Sequence, residues 1–377
     1  MQRSAVAVPK YQVVFDALRE EIESGRLAAG ARVPSEAALV ERFGASRITV
    51  GRAVRDLQLQ GLVERRVGSG TYVRRRTPAA PAATECTFGV LVPDLPDIEI
   101  FDPLVQRLIS CPDAQPHAFL WGGGDASPAA RPAAAWARTQ QYIARKVDGV
   151  FFAPLEGLSP GDDTNVRIVT ALDVARIPVV LLDRSVFPYP RRGSYDLVGI
   201  DNRRAGFAIT EHLLAQGARR LAFLGAAGGV STIAARRAGY REAVDVLGAD
   251  PSLVGLPFPD PADRAAMKTY LETHRPDGVV CAHDRAAAQV MHGLLALGVR
   301  VPDDVRLVGV DDVDYAAWLP VPLTTMRQPV QQIGEAAMAA MLERRAHPTR
   351  PARDIFVQCT LVVRQSCGAG ARVVVPA

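Results

Sequence analysis

Lysine is nearly absent from this chain: Lys10, Lys146 and Lys268 are its only three in 377 residues. Arginine therefore supplies almost every positive charge, and a single arginine says little about function. The five cysteines (Cys86, Cys111, Cys281, Cys359 and Cys367) are odd in number, far apart, and in no C-x-x-C or Cys/His ligand spacing. That pattern argues against a disulfide framework or a zinc module, so reduced thiols, no metal and no cofactor are expected. The start of the chain holds no signal-peptide core, and nowhere do about 20 apolar residues run together without charge, so the expected location is the cytoplasm, away from membranes. A P-loop, a G-x-S-x-G elbow, an H-E-x-x-H pair and a dinucleotide-type G-x-G-x-x-G after the first strand are missing as well. Gly122-Gly123-Gly124 is an isolated triplet. The chain does not read as an enzyme, although doubly wound sheets host many chemistries.

What is present divides along the chain. Residues 1–76 carry 14 Arg and Lys against 8 Asp and Glu, whereas the remainder carries 30 against 32. Positive charge concentrated at one end is the footprint of a segment that meets phosphates, because each neutralised phosphate releases condensed counterions. Residues 74–84, R-R-R-T-P-A-A-P-A-A-T, read as an extended linker. The expected layout is a DNA-binding domain at 1–75, a linker at 76–86 and an effector-binding domain at 87–368. The latter divides into two lobes, about 87–190 with 322–352 and 191–321 with 353–368.

In the head, Tyr11, Val14, Leu18 and Ile22 recur at three-and-four spacing, which predicts a packing helix over 10–24. Ser35 is placed to cap a short helix ending near Phe43, Gly44-Ala45 makes a turn, and Ser46 caps a helix running to about Gln60. Two helices joined this way turn Arg47, Ile48 and Thr49 outward, where a helix-turn-helix reads base edges. Residues 62–66 and 71–73 flank Val67-Gly68-Ser69-Gly70 and form a hairpin wing, whose glycines allow close backbone approach to DNA.

Residues 9–75 resemble the GntR-type winged-helix head. The run G-x-x-x-x-G-x-x-x-P-S-E stands at Gly25 to Glu36, S-R-x-T-V at Ser46 to Val50, and G-x-G-T-x-V at Gly68 to Val73. The resemblance implies DNA contacts from Ser35, Ser46, Arg47, Thr49, Gly68, Ser69 and Gly70. Two departures stand out: Gly51 where the family usually has arginine, with Arg52 as a candidate to compensate, and Ala37 where a polar residue is common.

Beyond the linker, short β-branched runs alternate with helix-length segments, predicting strands at 88–92, 117–121, 149–153, 178–182, 197–200, 220–224, 277–281 and 305–310. Helices are expected between most of them, at 202–216, 232–247 and 284–297 among others. The pattern is α/β with parallel sheets. D-N-R-R-A-G-F from Asp201, R-R-A-G-Y-R-E-A-V from Arg236, V-P-D-D-V-R-L-V-G-V-D-D from Val301 and P-L-T-T-M-R-Q-P from Pro322 follow in order. Together they resemble the LacI/GalR-type regulator domain, similar to periplasmic sugar-binding proteins.

That resemblance implies two doubly wound lobes with a ligand between them at the carboxyl ends of the strands, where open α/β sheets bind ligands generally. It points to Asp183, Arg236, His283, Asp284 and Asp311 as polar effector contacts and to Phe258 as a stacking aromatic; the segment after the first strand departs from the family pattern, and Phe101 is the first-lobe candidate there. A polyhydroxylated ligand needs its lost water hydrogen bonds replaced, and carboxylates with a planar guanidinium do this in fixed geometry. The expected function is a repressor that binds double-stranded operator DNA as a homodimer and responds to a small molecule, a sugar first and a nucleobase or other metabolite second. A transporter's solute-binding protein is the remaining alternative, and a DNA-binding head argues against it.

Overall fold

A computed structural model describes residues 10–23, 26–28, 30–59, 63–66, 70–73, 85–92, 99–122, 127–159, 161–225, 231–369 and 374–376. By internal contacts the chain divides into two units, Met1–Thr84 and Glu85–Ala377. Among the described residues, no helix is long and apolar enough to cross a membrane.

The first unit contains α1 (Lys10–Glu23), α2 (Glu36–Phe43), α3 (Arg47–Leu59) and the antiparallel pair β1 (Val63–Arg66) and β2 (Gly70–Val73). Val14 and Leu18 of α1, Leu39 of α2 and Val50, Val54 and Leu57 of α3 close one core with Val63 and Val73. Tyr11 and Ile22, the ends of the expected stripe, are only half-buried. A feature the sequence did not suggest is a third strand-like stretch. Val33 N–H donates to the Thr71 carbonyl and Val73 N–H to the Ala31 carbonyl, 2.8 Å each, so residues 31–33 cover one edge of β2.

The second unit holds two six-stranded sheets. The first has β3 (Thr87–Leu91), β4 (Ala118–Leu120), β5 (Gly149–Phe152), β6 (Val179–Leu182), β7 (Asp196–Gly199) and β12 (Asp354–Phe356) in the order β12-β7-β6-β5-β3-β4, all parallel. The second has β8 (Leu221–Leu224), β9 (Gly278–Cys281), β10 (Arg306–Asp311), β11 (Thr324–Arg327), β13 (Thr360–Val362) and β14 (Val374–Pro376) in the order β14-β13-β11-β10-β9-β8. Here β8 to β11 are parallel, and β13 and β14 run antiparallel at the edge.

Strand alternation sends successive side chains to opposite faces, so each sheet buries both. In the first, Phe88, Val90, Phe151, Val180 and Leu182 face the side covered by α4 (Phe101–Ser110) and α11 (Val330–Ala346). Leu91, Val150, Phe152, Val179 and Leu181 face α5 (Arg131–Ala144) and α6 (Thr164–Val174). In the second, α7 (Asn202–Ala215) and α8 (Ser231–Val246) cover Leu221, Phe223, Val280 and Val308, while α9 (Arg264–His274) and α10 (Asp284–Ala296) cover Ala222, Val279, Cys281 and Leu307. This is the doubly wound pattern expected of parallel strands buried on both faces.

The lobe boundaries differ from those expected. β7 and β12 belong to the first sheet and β11 to the second, so the chain crosses between lobes near residues 200, 328 and 358. The crossings do not fall at 190, 322 and 352. Crossover strands are short and their composition does not say which sheet edge they join; pairing partners decide that.

Candidate functional site

The candidate carboxylates of both lobes stand at or shortly after strand ends, and the second lobe adds an arginine from a helix. In the first lobe, Asp183 and Arg184 follow β6, and Glu156 follows β5 by four residues. Asp183 adopts a left-handed backbone, φ 66°, which re-aims the chain at the strand end. A Cβ at Gly199 on the neighbouring β7 would sit 3.1 Å from the Asp183 Cα. The buried Arg184 donates through Nε and Nη2 to Asp183 Oδ2 at 2.9 and 2.6 Å, and its Nη1 pairs with Glu156 Oε2. Its guanidinium carbon lies 5.4 Å from the centroid of the Phe101 ring. Phe101 thus enters the site as a platform under Arg184.

In the second lobe, the buried Arg236 of α8 donates Nε to Asn202 Oδ1 at 2.8 Å and Nη1 to the Ala282 carbonyl at 2.5 Å. Its Nη2 lies 3.7 Å from Asp311 Oδ1 at the end of β10. Gln328, in the crossover after β11, donates Nε2 to the same Asp311 oxygen at 2.8 Å. Arg236 reaches the strand ends because α7 and α8 touch at glycines: a Cβ on Gly206 would collide with the Arg236 carbonyl, and one on Gly239 with the Arg203 carbonyl.

The two sets act on one another electrostatically. Burial raises the Asp311 pKa, Arg236 and Gln328 oppose the rise, and Asp183 and Glu99 of the other lobe add to it. Burial pushes Glu156 up to about 7, opposed chiefly by Arg184, with Arg236 contributing across the cleft. Among the described residues, a hydrogen bond runs from one lobe to the other, from the Tyr315 hydroxyl to Glu99 Oε1 at 3.3 Å.

Of the residues the sequence proposed, Asp183, Arg236, Asp311 and Phe101 therefore meet. Asp284 interacts electrostatically with Asp311 but is turned into the second-lobe core, and His283 and Phe258 make other contacts. Asp284 is fully buried beneath β10 and β11, with Oδ1 accepting from the Thr325 hydroxyl at 2.6 Å and Oδ2 from Val313 N–H at 3.2 Å. Gly309 leaves the room it occupies. His283 is the N-cap of α10, its Nδ1 accepting from Ala286 N–H at 3.1 Å. Phe258 packs on Tyr270, centroids 5.0 Å apart, within the second-lobe core. Glu156, Arg184, Asn202, Gln328 and Glu99 join the cluster although the sequence did not single them out. The signal available was position: Arg184 adjoins Asp183 after an apolar strand, and Glu156 closes the loop after another. Among the described residues, no group of His, Cys, Asp or Glu is arranged to hold a metal, and the five cysteines are buried.

In the head, Ser35 Oγ accepts from Ala38 N–H at 3.2 Å, and Ser46 Oγ accepts from Thr49 N–H at 3.2 Å while meeting the Thr49 hydroxyl at 2.8 Å. Both serines cap helices and remain exposed. The αL residue Gly44, φ 57°, makes the turn between α2 and α3. Arg47, at the first position of α3, is exposed. The exposed Arg52 lies over the Tyr11 ring of α1, 4.2 Å from its centroid. Gly70 has φ 121°, and a Cβ there would press on Arg32 Nε at 2.8 Å. Gly68 and Ser69 lie outside the described residues.

A helix-turn-helix with a β-hairpin on one unit, and two doubly wound lobes facing a polar cleft on the other, define a ligand-type lobed domain carrying a DNA-binding-type head. Residues 10–73 match the gntR family of bacterial regulatory proteins, and residues 210–367 match the periplasmic binding protein-like domain. The chain is similar to the arabinose metabolism transcriptional repressor of Geobacillus stearothermophilus, 25% identical over 369 residues, covering 95% of this chain and 98% of that protein. It is 28% identical over 238 residues to the ribose operon repressor of Escherichia coli K12, covering 60% of this chain and 67% of the relative. Among solved structures, a LacI-family regulator from Sanguibacter keddieii is 30% identical with TM-score 0.57, over 76% of this chain and all of that one. The chain belongs to the bacterial transcriptional regulators that join a gntR-family head to a LacI-type periplasmic-binding-protein-like domain; its relatives are regulators, not enzymes.

Proposed function

We propose that this protein is a cytoplasmic homodimeric repressor that binds a near-palindromic operator and is controlled by a sugar held between the lobes of its second unit. The observation that carries the effector half is the convergence of Asp183 and Arg184 from one lobe with Arg236 and Asp311 from the other, all at strand carboxyl ends. The names of the arabinose and ribose repressors among its relatives support a sugar.

In the head, the exposed Arg47 and the half-buried Thr49 at the start of α3 reach base edges. Ser35, Ser46 and Arg52 meet the phosphate backbone, and the wing residues Gly68, Ser69 and Gly70 are the candidates for contact in a groove. Two-fold operators match two-fold proteins, so two heads are required. Ligand shifts operator affinity only by its differential affinity for the open and closed lobes, and a coupling of about 1–3 kcal/mol is expected.

The test is operator selection from random duplexes with the full chain, then fluorescence anisotropy with and without L-arabinose, D-ribose and related sugars. Arg236→Ala should bind the selected duplex as the parent does and lose the sugar response. A normal response in that variant sinks the cleft assignment, and failure to select any sequence sinks the operator assignment. Sedimentation at micromolar concentration checks the dimer.

A further inference from the structure

The turn that ends β10 is held in a conformation that residues with side chains rarely adopt. Asp311 has φ 126° and Asp312 φ 58°, two successive non-glycine residues in the positive range. Such a backbone persists only where its surroundings over-determine it, and it gathers at clamps and switches.

Asp312 supplies the hold. Its side chain is 5% exposed, and its Oδ2 accepts from Arg327 Nε at 2.6 Å. Its Oδ1 lies 2.7 Å from Arg364 Nη2, an ion pair that is not aligned as a hydrogen bond. Arg327 is the last residue of β11, next to the crossing near 328. Arg364 follows β13, the strand entered from the crossing near 358, and its Nη1 donates to the Leu323 carbonyl just before β11. One buried carboxylate thus ties the end of β10 to the strand that leaves for the other lobe and to the strand that returns from it.

The two ends of this turn are the parts that reach towards the first lobe. At one end, Asp311 Oδ1 accepts from Gln328 Nε2 within the crossing at 2.8 Å. At the other, the Tyr315 hydroxyl donates to Glu99 Oε1 of the first lobe at 3.3 Å. Between them, Val313 N–H is fixed on Asp284 Oδ2 at 3.2 Å. The cleft residue Asp311 and the interlobe contact of Tyr315 therefore belong to one short segment, and Asp312 is its anchor.

We propose that Asp312 is a positioning residue: through Arg327 and Arg364 it holds residues 311–315 as a unit, so that a change at Asp311 alters the arrangement of the lobes and with it the size of the regulator's response. The response rests on the cleft reading above; the anchoring does not depend on which ligand fills the cleft. Coupling between two sites needs an element whose arrangement both of them bias. This segment touches the cleft at Asp311 and the first lobe at Tyr315, and the ion pairs of Asp312 keep the two ends in register.

The experiment is amide hydrogen exchange on the ligand-free full chain, comparing the parent with Asp312→Asn, Arg327→Ala and the double variant. Calorimetry and operator anisotropy with L-arabinose and D-ribose accompany it. Asparagine tolerates a left-handed backbone and removes only the charge. Arg327 is 53% exposed, so its truncation gives a second variant that folds, and melting curves check both. Each single variant should exchange about 10-fold faster at residues 311–316 and 327–330, with no further rise in the double variant. Sugar affinity should stay within about 3-fold of the parent. The change in operator affinity that the sugar produces, about 5- to 150-fold for coupling of ordinary size, should fall to about 2-fold or less. Unchanged exchange in these segments, or an equal rise through the whole second unit, overturns the inference. So does a full operator response in folded Asp312→Asn. If neither sugar binds the parent, the sugar reading above fails and the exchange result still decides this inference.

Discussion

Gly206 and Arg236 meet backbone against side-chain-free backbone: a Cβ on Gly206 of α7 would collide with the Arg236 carbonyl of α8. The approach carries the Arg236 guanidinium to Asn202 and to the Ala282 carbonyl at the end of β9. A glycine one helix away thereby determines where the cleft's arginine stands.

Gly206→Ala should therefore act at a distance. Forcing α8 outward costs about 1–3 kcal/mol, as overpacked sites do, and withdraws Arg236 from Asp311. Denaturant unfolding should report the loss of stability, and calorimetry the loss of sugar binding, while operator affinity without sugar stays at the parent value. Retained sugar affinity in a destabilised Gly206→Ala protein would show that Arg236 is not positioned through this contact.

In the head, Arg47 and Arg52 should separate cleanly. Arg47 is exposed at the start of α3, whereas the Arg52 guanidinium rests on Tyr11. Arg47→Ala should weaken operator binding by about 1–3 kcal/mol and relax sequence preference, the signature of a base contact. Arg52→Ala should weaken binding to all duplexes alike and reduce the salt dependence, because a phosphate contact carries no sequence information. Anisotropy titrations against selected and scrambled duplexes at several salt concentrations distinguish the two.

Gly51 occupies the middle of α3, and a Cβ there meets nothing within 4 Å. Glycine inside a helix costs about 0.5–1 kcal/mol relative to alanine. Gly51→Ala should stabilise the head by that amount, read as a later head transition in urea. An unchanged midpoint would mean that the added methyl group brings no gain at this position of α3.

Stability should fall as pH rises from the ordinary carboxylate range towards neutrality. Burial raises the pKa of Asp284, with Asp311 adding to it and the Thr325 and Val313 hydrogen bonds opposing. Glu156 and Asp311 are raised in the same direction by burial. A carboxyl whose folded pKa exceeds its unfolded value binds more protons when folded, so its contribution is complete below the unfolded pKa and is lost through the folded one. Melting temperature measured from about pH 5 to about pH 8 should decline, and Asp284→Asn should flatten the decline. The Thr325 hydroxyl can accept from the new amide, so the variant keeps its local bonds. An identical slope in Asp284→Asn would move the linkage to Glu156 and Asp311.

Local chemistry was enough to read much of this molecule. All eight expected strands of the second unit form within about a residue of their predicted bounds, because parallel strands buried on both faces need continuous β-branched and aromatic runs. Two of the head helices, α2 and α3, likewise follow from Ser35, Gly44 and Ser46, whose capping and turn geometry depends only on neighbours a few residues away. β11 to β14 were not legible, because runs such as Thr324–Arg327 and Asp354–Phe356 lack a continuous apolar stretch and exist through their partners.

The site divides along the same line. That polar residues following strands would gather in a cleft could be read from the order of residues, and Asp183, Arg236 and Asp311 do gather. Which pairs they would form depended on contacts far apart in the chain. Asp284 disappears under β10 because Gly309 leaves it room, and Arg184, 28 positions from Glu156, takes one oxygen of Glu156 and one of Asp183. Sequence determined the elements and their order, since these rest on spacing and on residues close in the chain. Tertiary structure alone decided the pairing within the cleft, since a hydrogen bond between distant residues has no local signature.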